Sequence, residues 1–597
     1  MNLPNLPQTI LVDVETTSFD DKVKAFHPFN GHRIVGVAIG TPDKQWYLPL
    51  RHREGGNLPL EPTLKWLRET LATRNIINHN VKFDGRFLAV DGIKTGPLAD
   101  TMVLARLVDN TRWSYSLDSL SRDMLNETGK DKAVKAYLKS IKSVDYGRVP
   151  ADIMGPYAMR DIELTAKLYK HLLHRLPPES AEVWETEKNL TPILLESEIA
   201  GVKINVRRLK EYSKICCEKL LALGEQIPCD PSSEESLTAY IVGELGLTPT
   251  AFTPKTGRPS WTQDSFMAMK HPIGKVLAEY SRYSYFLGSV TGWAERLDEN
   301  GFLHPDFRQS GTDTGRMSVA DPNTQGAMEE ALQLIESGES IVGWDYSQEE
   351  WRIFAHYSND AKIMNMFKAS RDVDFHQNLA TDLGIERDWG KTLNFAFLFG
   401  MGKKKLLANL VALLVANSGL LVFLQNKSGK KELPDIAEWI YAQYHAKYPS
   451  IRQFSYRVMN LVKSRGFIKN FFGRVYNFQD RGGYMAVNYV IQGSAADLLK
   501  HKLVEMYPAM KKLGGQLLIT RHDDMYYRVP AGAEVEALKI GTAILEDTHF
   551  RVPIIAVAKV SAGALGRSEK VGEINNKNVK AAMKKSLIFE QFSFDSK

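Results

Sequence analysis

VGWDYSQEEWR, residues 342–352, opens as an apolar strand and delivers Asp345 at its end, with Gln348, Glu349, Glu350 and Arg352 close behind. GGQLLITRHDDMYYRV, residues 514–529, has apolar flanks around an HDD centre. It reads as a β-hairpin with Asp523 and Asp524 at its tip. Between the two lies RDWGKTLNFAFLFG, residues 387–400. Here Arg387, Lys391, Phe395 and Phe399 fall at i, i+4, i+8 and i+12, a slowly drifting stripe on one helix face. Core packing alone would explain the two phenylalanines, but two cations on the same stripe argue against burying that whole face.

A second carboxylate set stands near the N-terminus. TILVDVET (9–16) reads as a strand, and Asp13 and Glu15 at i and i+2 share one of its faces. Two carboxylates on one face repel unless a cation sits between them. A D-x-E pair also occurs by chance at exposed strand ends, so its weight comes from residues further along the chain. NVKFD adds Asp84, and YAMRD adds Tyr157 and Asp161, which share a helix face at i, i+4. Asp100, in LADTMVLARL before an apolar helix, reads as an N-cap or a supporting group.

The ordered series D-x-E, N-x-x-F-D, Y-x-x-x-D resembles the DnaQ-like 3′→5′ exonucleases, which have an RNase-H-like fold, over roughly residues 8–175. That resemblance implies that Asp13, Glu15, Asp84 and Asp161 are metal ligands and that Tyr157 positions the attacking water. The alternative for Tyr157 is a packed core tyrosine. The later motifs, with TDTGRMSVADPNTQ (312–325) and NYVIQGSAADLLK (488–500), resemble family A DNA polymerases, in particular the large fragment of bacterial DNA polymerase I. Together the two resemblances cover nearly the whole chain except its tail.

The polymerase resemblance implies that Asp345 and Asp523 bridge two Mg²⁺ ions, with Mn²⁺ able to substitute, and that Asp524 is secondary. It assigns Arg387 and Lys391 to the incoming triphosphate, with Lys391 also a general acid toward pyrophosphate. Phe395 would lie against the sugar, Phe399 near the template base, and Gln348 and His376 at the nucleotide. The spacing from His376 to Arg387 is shorter than the family's. Glu350 would block a ribose 2′-OH. Arg316, Asn323, Gln325, Asn488, Gln492 and His522 would contact primer–template DNA. Asp524 stands where the family usually has Glu, Phe399 where it has Tyr, and Tyr484 where an Arg is expected.

The expected fold class is α/β multidomain: an RNase-H-like exonuclease domain (1–178) followed by a right-hand polymerase. The thumb would span 179–305 and the palm 306–360 and 480–565. The fingers would span 361–479, with an insertion near 403–434, and a C-terminal tail 566–597. Pro177-Pro178 marks the first boundary. Residues 206–219 carry Arg207, Arg208, Lys210, Lys214 and Lys219, which either track a phosphate backbone or form a solvated helix face.

Composition bounds the alternatives. The chain has 597 residues, 44% apolar and 24% charged, which excludes a collagen-like or disordered protein. The net charge of +6 is too small at this length to name a partner. Three clustered cysteines (Cys216, Cys217, Cys229) give neither metal spacing nor a disulfide framework and point to a reducing compartment. The N-terminus does not read as a signal peptide. The apolar run 406–424 is interrupted by Asn409, Asn417, Ser418 and Gly419, and reads as a buried helix or helix pair, not a membrane span. The tail, with Lys577, Lys580, Lys584 and Lys585, reads as weakly specified, either partly helical or disordered.

The functional expectation is a proofreading DNA-templated DNA polymerase acting on primer–template and dNTPs. It is of phage type, without a preceding 5′-nuclease domain, and works in the bacterial host cytoplasm, with a processivity or replisome protein as a further partner. The departures near the nascent pair leave room for a preference for a modified base such as 2-aminoadenine. The competing readings are an exonuclease with a degenerate polymerase module, a DNA-binding scaffold, and an RNA polymerase, the last disfavoured by Glu350.

Overall fold

In the computed structural model the strand β1 (Thr9–Thr16) is the middle of a five-stranded sheet. It pairs antiparallel with β2 (Ile34–Gly40), which pairs antiparallel with β3 (Gln45–Pro49). Helix α1 (Leu60–Leu71) leads to β4 (Asn75–Asn78), α2 (Val81–Val90) and β5 (Leu98–Asp100). β4 is parallel to both β1 and β5, giving the order β3-β2-β1-β4-β5. The structure describes residues 4–17, 28–127, 132–253, 256–269, 271–371, 373–416, 419–478 and 482–587.

Strand alternation divides β1 between two layers. Ile10, Val12 and Val14 enter a core with Leu64 and Leu67 of α1 and Phe87 and Leu88 of α2. Leu11 faces the other way, onto Ala158 and Ile162 of α3 (Ala151–Arg175). Asp13 and Glu15 therefore share the α3 side of the sheet.

Helix α4 (Ala181–Ala200) joins this unit to the rest. Leu195 enters the first core, while Leu190, Ile193 and Leu194 pack under a second sheet. The α2–α4 crossing is tight: a Cβ on Gly85 would lie 2.5 Å from Leu195. Beside it Lys82 is ion-paired with buried Glu198 and donates to the Phe307 carbonyl at 2.5 Å. Beyond, α5 (Val206–Gly224) and α6 (Pro272–Glu295) pack through Tyr212 and Phe286.

The second sheet begins with β6 (Ser340–Tyr346), which runs into α7 (Glu349–Ser358). A helical body follows: α8 (Phe375–Leu383), α9 (Arg387–Leu398), α10 (Lys403–Ala416), α11 (Leu420–Ser428), α12 (Leu433–Lys447) and α13 (Pro449–Arg465). The apolar run thus becomes two helices, with Leu406, Leu410, Leu420 and Leu424 buried in the core of that body. Asn417 and Ser418 lie outside the described residues. No helix among the described residues is long and apolar enough to cross a membrane.

The chain then returns through α14 (Ala486–Lys512), β7 (Gln516–Arg521), β8 (Asp524–Val529), α15 (Glu534–Glu546) and β9 (Ala556–Ser561). The sheet is closed by β10 (Glu569–Lys570), in the antiparallel order β7-β8-β6-β9-β10. The segment after Arg567 is partly helical, the first of the two alternatives that its composition left open. Helix α16 (Asn576–Ser586) is capped by the Asn575 side chain, which accepts from Asn578 N–H at 2.9 Å. It buries Val579 and Ala582 beside Val571. Its four lysines line the exposed face, while Met583 packs against the same core and buried Ser586 accepts from Ala562 N–H at 2.9 Å. Residues 588–597 lie outside the described residues.

Candidate active sites

The first site lies between β1 and α3. Ligand oxygens of Asp13, Glu15 and Asp161 all fall within 4.8 Å of one another, and among the described residues this is the group whose spacing could hold a metal ion. Tyr157 sits one turn before Asp161 and is buried. The N–H of Val14 donates to Asp84 Oδ1 at 2.8 Å, and burial pushes the Asp84 carboxyl up to about 7. Asp84 is not one of the three clustered carboxylates; it accepts a hydrogen bond from the backbone of the strand that carries two of them. Asp100 caps two helices: Oδ1 accepts from Asn80 and Met102, and Oδ2 from Val81, at 2.8–3.0 Å.

Tyr47, which the sequence reading missed, also faces this site. It is aligned across β2 with Asp13 through Ala38, and its hydroxyl occupies the space left by Gly36. His52 Nδ1 lies 2.6 Å from the Val149 carbonyl and can only donate there, so Nε2 accepts the Tyr47 hydroxyl at 2.8 Å. Burial, then Glu15 and Asp13, push the phenol far above its ordinary range. The signal was the Tyr two strands from Asp13 on the same face, visible only once strand order is known.

The second site lies on the sheet of β6. Asp345 is in register with Asp524 of β8 and Val557 of β9. Asp523 and His522 form the two-residue β7–β8 turn, with His522 at φ +57°. Burial and the Asp345 charge raise both Asp523 and Asp524, the latter to about 7. Two registers back, Gly343 is flanked by Tyr526 and Lys559. Because Gly343 has no side chain, Tyr526 lies across it: a Cβ there would meet the ring at 2.3 Å. The Lys559 ammonium reaches forward to Asp345 Oδ2 at 3.0 Å and Asp524 Oδ2 at 3.1 Å.

Glu350 is ion-paired with Arg316, and the Gln492 side chain hydrogen-bonds to it. Asn488 and Gln492 are half-buried on one face of α14. Gln325 is buried and donates to the Met317 carbonyl at 3.4 Å, and Asn323 Oδ1 accepts from Gly326 N–H at 3.0 Å. Gln348 spends both ends of its amide on backbone: Oε1 accepts from Phe375 N–H at 3.0 Å, and Nε2 donates to the Val373 carbonyl. It therefore pins the start of α8 to β6.

On α9 the stripe turns outward. Arg387 and Lys391 are exposed, Phe395 and Phe399 half-buried, and Gly390, Leu393, Asn394 and Phe397 buried. Phe395 and Phe399 stack with ring centroids 6.3 Å apart. Gly390 lets α8 approach: a Cβ would meet the His376 carbonyl at 2.6 Å. His376 thereby reaches Phe395 at 5.2 Å between ring centroids, and Arg387 Nε donates to Asp374 at 2.6 Å, despite the short sequence spacing. Burial drives the His376 imidazole down to about 4, so it is neutral at physiological pH. Tyr484 is exposed at 67%.

Glu349 was also missed. It is buried among the site's charges, with Oε1 lacking a hydrogen-bond partner. Burial and the Asp523 charge push its carboxyl well above the ordinary range. A folded-state pKa above the unfolded value means that stability falls as pH rises above the unfolded value of about 4.5. Glu349→Met is therefore expected to raise stability at pH 8 by about 1–3 kcal/mol. The gain should shrink toward pH 4, as measured by denaturant unfolding at several pH values.

A family A DNA polymerase profile matches residues 206–564, and a 3′-5′ exonuclease profile matches residues 3–177. The chain belongs to DNA polymerase family A and carries a 3′-5′ exonuclease domain ahead of the polymerase domain. It is 26% identical to DNA polymerase DpoZ of Salmonella phage PMBT28, over 91% of this chain and 95% of that one. It is 27% identical to DNA polymerase DpoZ of Acinetobacter phage SH-Ab 15497, over 93% and 96%. It is 26% identical to the thermostable DNA polymerase I of Thermus aquaticus, over 89% of this chain and 62% of that longer protein. The fold matches the POL domain of Pol1 from M. smegmatis, solved in complex with DNA primer-template and dNTP. The TM-score is 0.75 at 19% identity, covering 94% of this chain and 97% of that one.

Proposed function

We propose that the chain copies DNA from a primer–template with dNTPs, and removes misincorporated 3′ nucleotides, in phage replication within the bacterial host cytoplasm. The observation that carries the reading is the convergence of Asp345, Asp523 and Asp524 at one end of the second sheet, separate from the Asp13–Glu15–Asp161 cluster on the first. The full-length similarity to two phage polymerases supports the setting.

In this reading residues 1–178 are the exonuclease, 179–305 the thumb, 306–360 and 480–565 the palm, and 361–479 the fingers. Asp345 and Asp523 would hold two Mg²⁺ ions, or Mn²⁺, and Asp13, Glu15, Asp84 and Asp161 a second pair. When bound, such ions activate the primer 3′-OH or the attacking water and stabilise the leaving oxygen.

The remaining work falls to the chain. Arg387 and Lys391 receive the triphosphate from the exposed face of α9, and Lys391 supplies the proton to pyrophosphate. Phe395 lies against the sugar and Phe399 against the template base. Glu350, held by Arg316 and Gln492, excludes a 2′-OH. The neutral His376 offers a donor to phosphate. Tyr157 orients the hydrolytic water. The DNA strands would meet Arg316, Asn488, Gln492 and His522, with Asn323 and Gln325 shaping the loop beneath them. A replisome protein would supply processivity.

The test is a labelled primer–template incubated with the full chain and Mg²⁺. Extension with dNTPs and shortening without them supports the reading; shortening under both conditions overturns it. Supplying dATP or its 2-amino analogue singly opposite template T tests the preference that Phe399 and Tyr484 leave open.

A further inference from the structure

Lys559 is the unexplained charge of the polymerase site. It lies on β9, 214 positions beyond Asp345, and no motif includes it. Its ammonium contacts three groups: Asp345 Oδ2 at 3.0 Å, Asp524 Oδ2 at 3.1 Å and the Tyr526 hydroxyl at 3.3 Å. The Tyr526 hydroxyl in turn donates to Asp524 Oδ2 at 2.9 Å. Asp524 is thus enclosed by two donors, with 14% of its side chain exposed, while Asp345 keeps 36% of its side chain open.

This arrangement comes from the sheet. Gly343 leaves a gap between Tyr526 and Lys559 at one register, and both side chains extend to the pair of carboxylates at the next. Three carboxylates at one strand end repel one another, and a fixed ammonium offsets part of that repulsion. The same ammonium is a like charge beside any incoming cation, and it already holds one of the two oxygens of Asp345. Asp524, one methylene shorter than glutamate, is tied back toward β9.

We propose that Lys559 is a positioning residue of the polymerase site and a built-in competitor for its divalent ions. It holds Asp524 away from them and occupies one oxygen of Asp345, so that ion uptake on Asp345 and Asp523 opens the Lys559–Asp345 pair. The proposal rests on Asp345 and Asp523 being the ion ligands. Its consequence is a polymerase site that is stable without ions but needs more of them to fill.

The test measures Mn²⁺ binding to the full chain without DNA or nucleotide, by loss of the free-ion electron paramagnetic resonance signal. An Asp13→Ala/Glu15→Ala background removes the exonuclease site from the count. Lys559→Met should fill the polymerase site at roughly tenfold lower Mn²⁺ than the parent, the scale on which groups beside a metal site tune affinity. Lys559→Arg, which keeps the charge, should remain near the parent. In EDTA, Lys559→Met should melt below the parent, and the gap should close at saturating Mn²⁺. Lys559→Gln gives the same comparison should the Met variant not fold. Unchanged or weaker Mn²⁺ binding in the neutral variant overturns the proposal. Asp345→Ala separates the two claims: if it binds Mn²⁺ as the parent does, the ion-ligand reading itself falls.

Discussion

Replacing Asp345 by alanine is expected to cut primer extension by roughly 10³-fold or more, about 4 kcal/mol of transition-state stabilisation. Degradation of single-stranded DNA should stay within about twofold of the parent, because distant sites act nearly independently. Asp345 ends β6 and faces Asp523 and Asp524, whereas the exonuclease carboxylates sit on β1 and α3 of a different sheet. In Asp345→Ala the Lys559 ammonium keeps its Asp524 partner, so the variant should fold. Measuring both reactions on one preparation is the check. Loss of both activities together would contradict two independent sites.

The second large effect is on stability. Arg474 is buried at 3% exposure and donates to Asp497 at 2.6–3.1 Å and to Glu187 at 2.6 Å. Lys500 donates to the same Glu187 oxygen at 2.5 Å, and Asn470 donates to Asp497 at 2.6 Å. Two acids and two bases thus balance inside the molecule, joining α4, the segment before α14, and α14 itself. Arg474→Met leaves Asp497 buried without its main counter-charge, which costs about 3–5 kcal/mol. The first thermal transition should fall by roughly 10 °C. A companion Arg474→Met/Asp497→Leu variant should recover much of that loss, because removing both charges is far cheaper than removing one. A transition unchanged in Arg474→Met would mean that water reaches the pair.

The features that were legible in sequence are those set by short-range periodicity. Asp13 and Glu15 share a face because strands repeat every two residues, and the structure puts both toward α3. The HDD hairpin comes from apolar flanks around a polar tip, and the α9 stripe from a four-residue helical step. What escaped depends on strand order and long-range pairing. Lys559 meets Asp345 only because β9 lies beside β6, and Tyr47 faces Asp13 only because β2 separates them by one strand. The Arg474 cluster draws on three segments up to 313 residues apart. Composition left the tail open between helix and disorder for a similar reason: the few residues of α16 that dock it, Val579, Ala582, Met583 and Ser586, stand out poorly among its lysines.

The most direct test of a polymerase site separate from the exonuclease site is primer extension by the Asp13→Ala/Glu15→Ala variant on a labelled primer–template with Mg²⁺, with and without dNTPs. Full-length extension is expected with dNTPs, and an intact, unshortened primer is expected without them. No extension from an intact primer would contradict it, because the polymerase carboxylates on β6 and at the β7–β8 turn are untouched by the change.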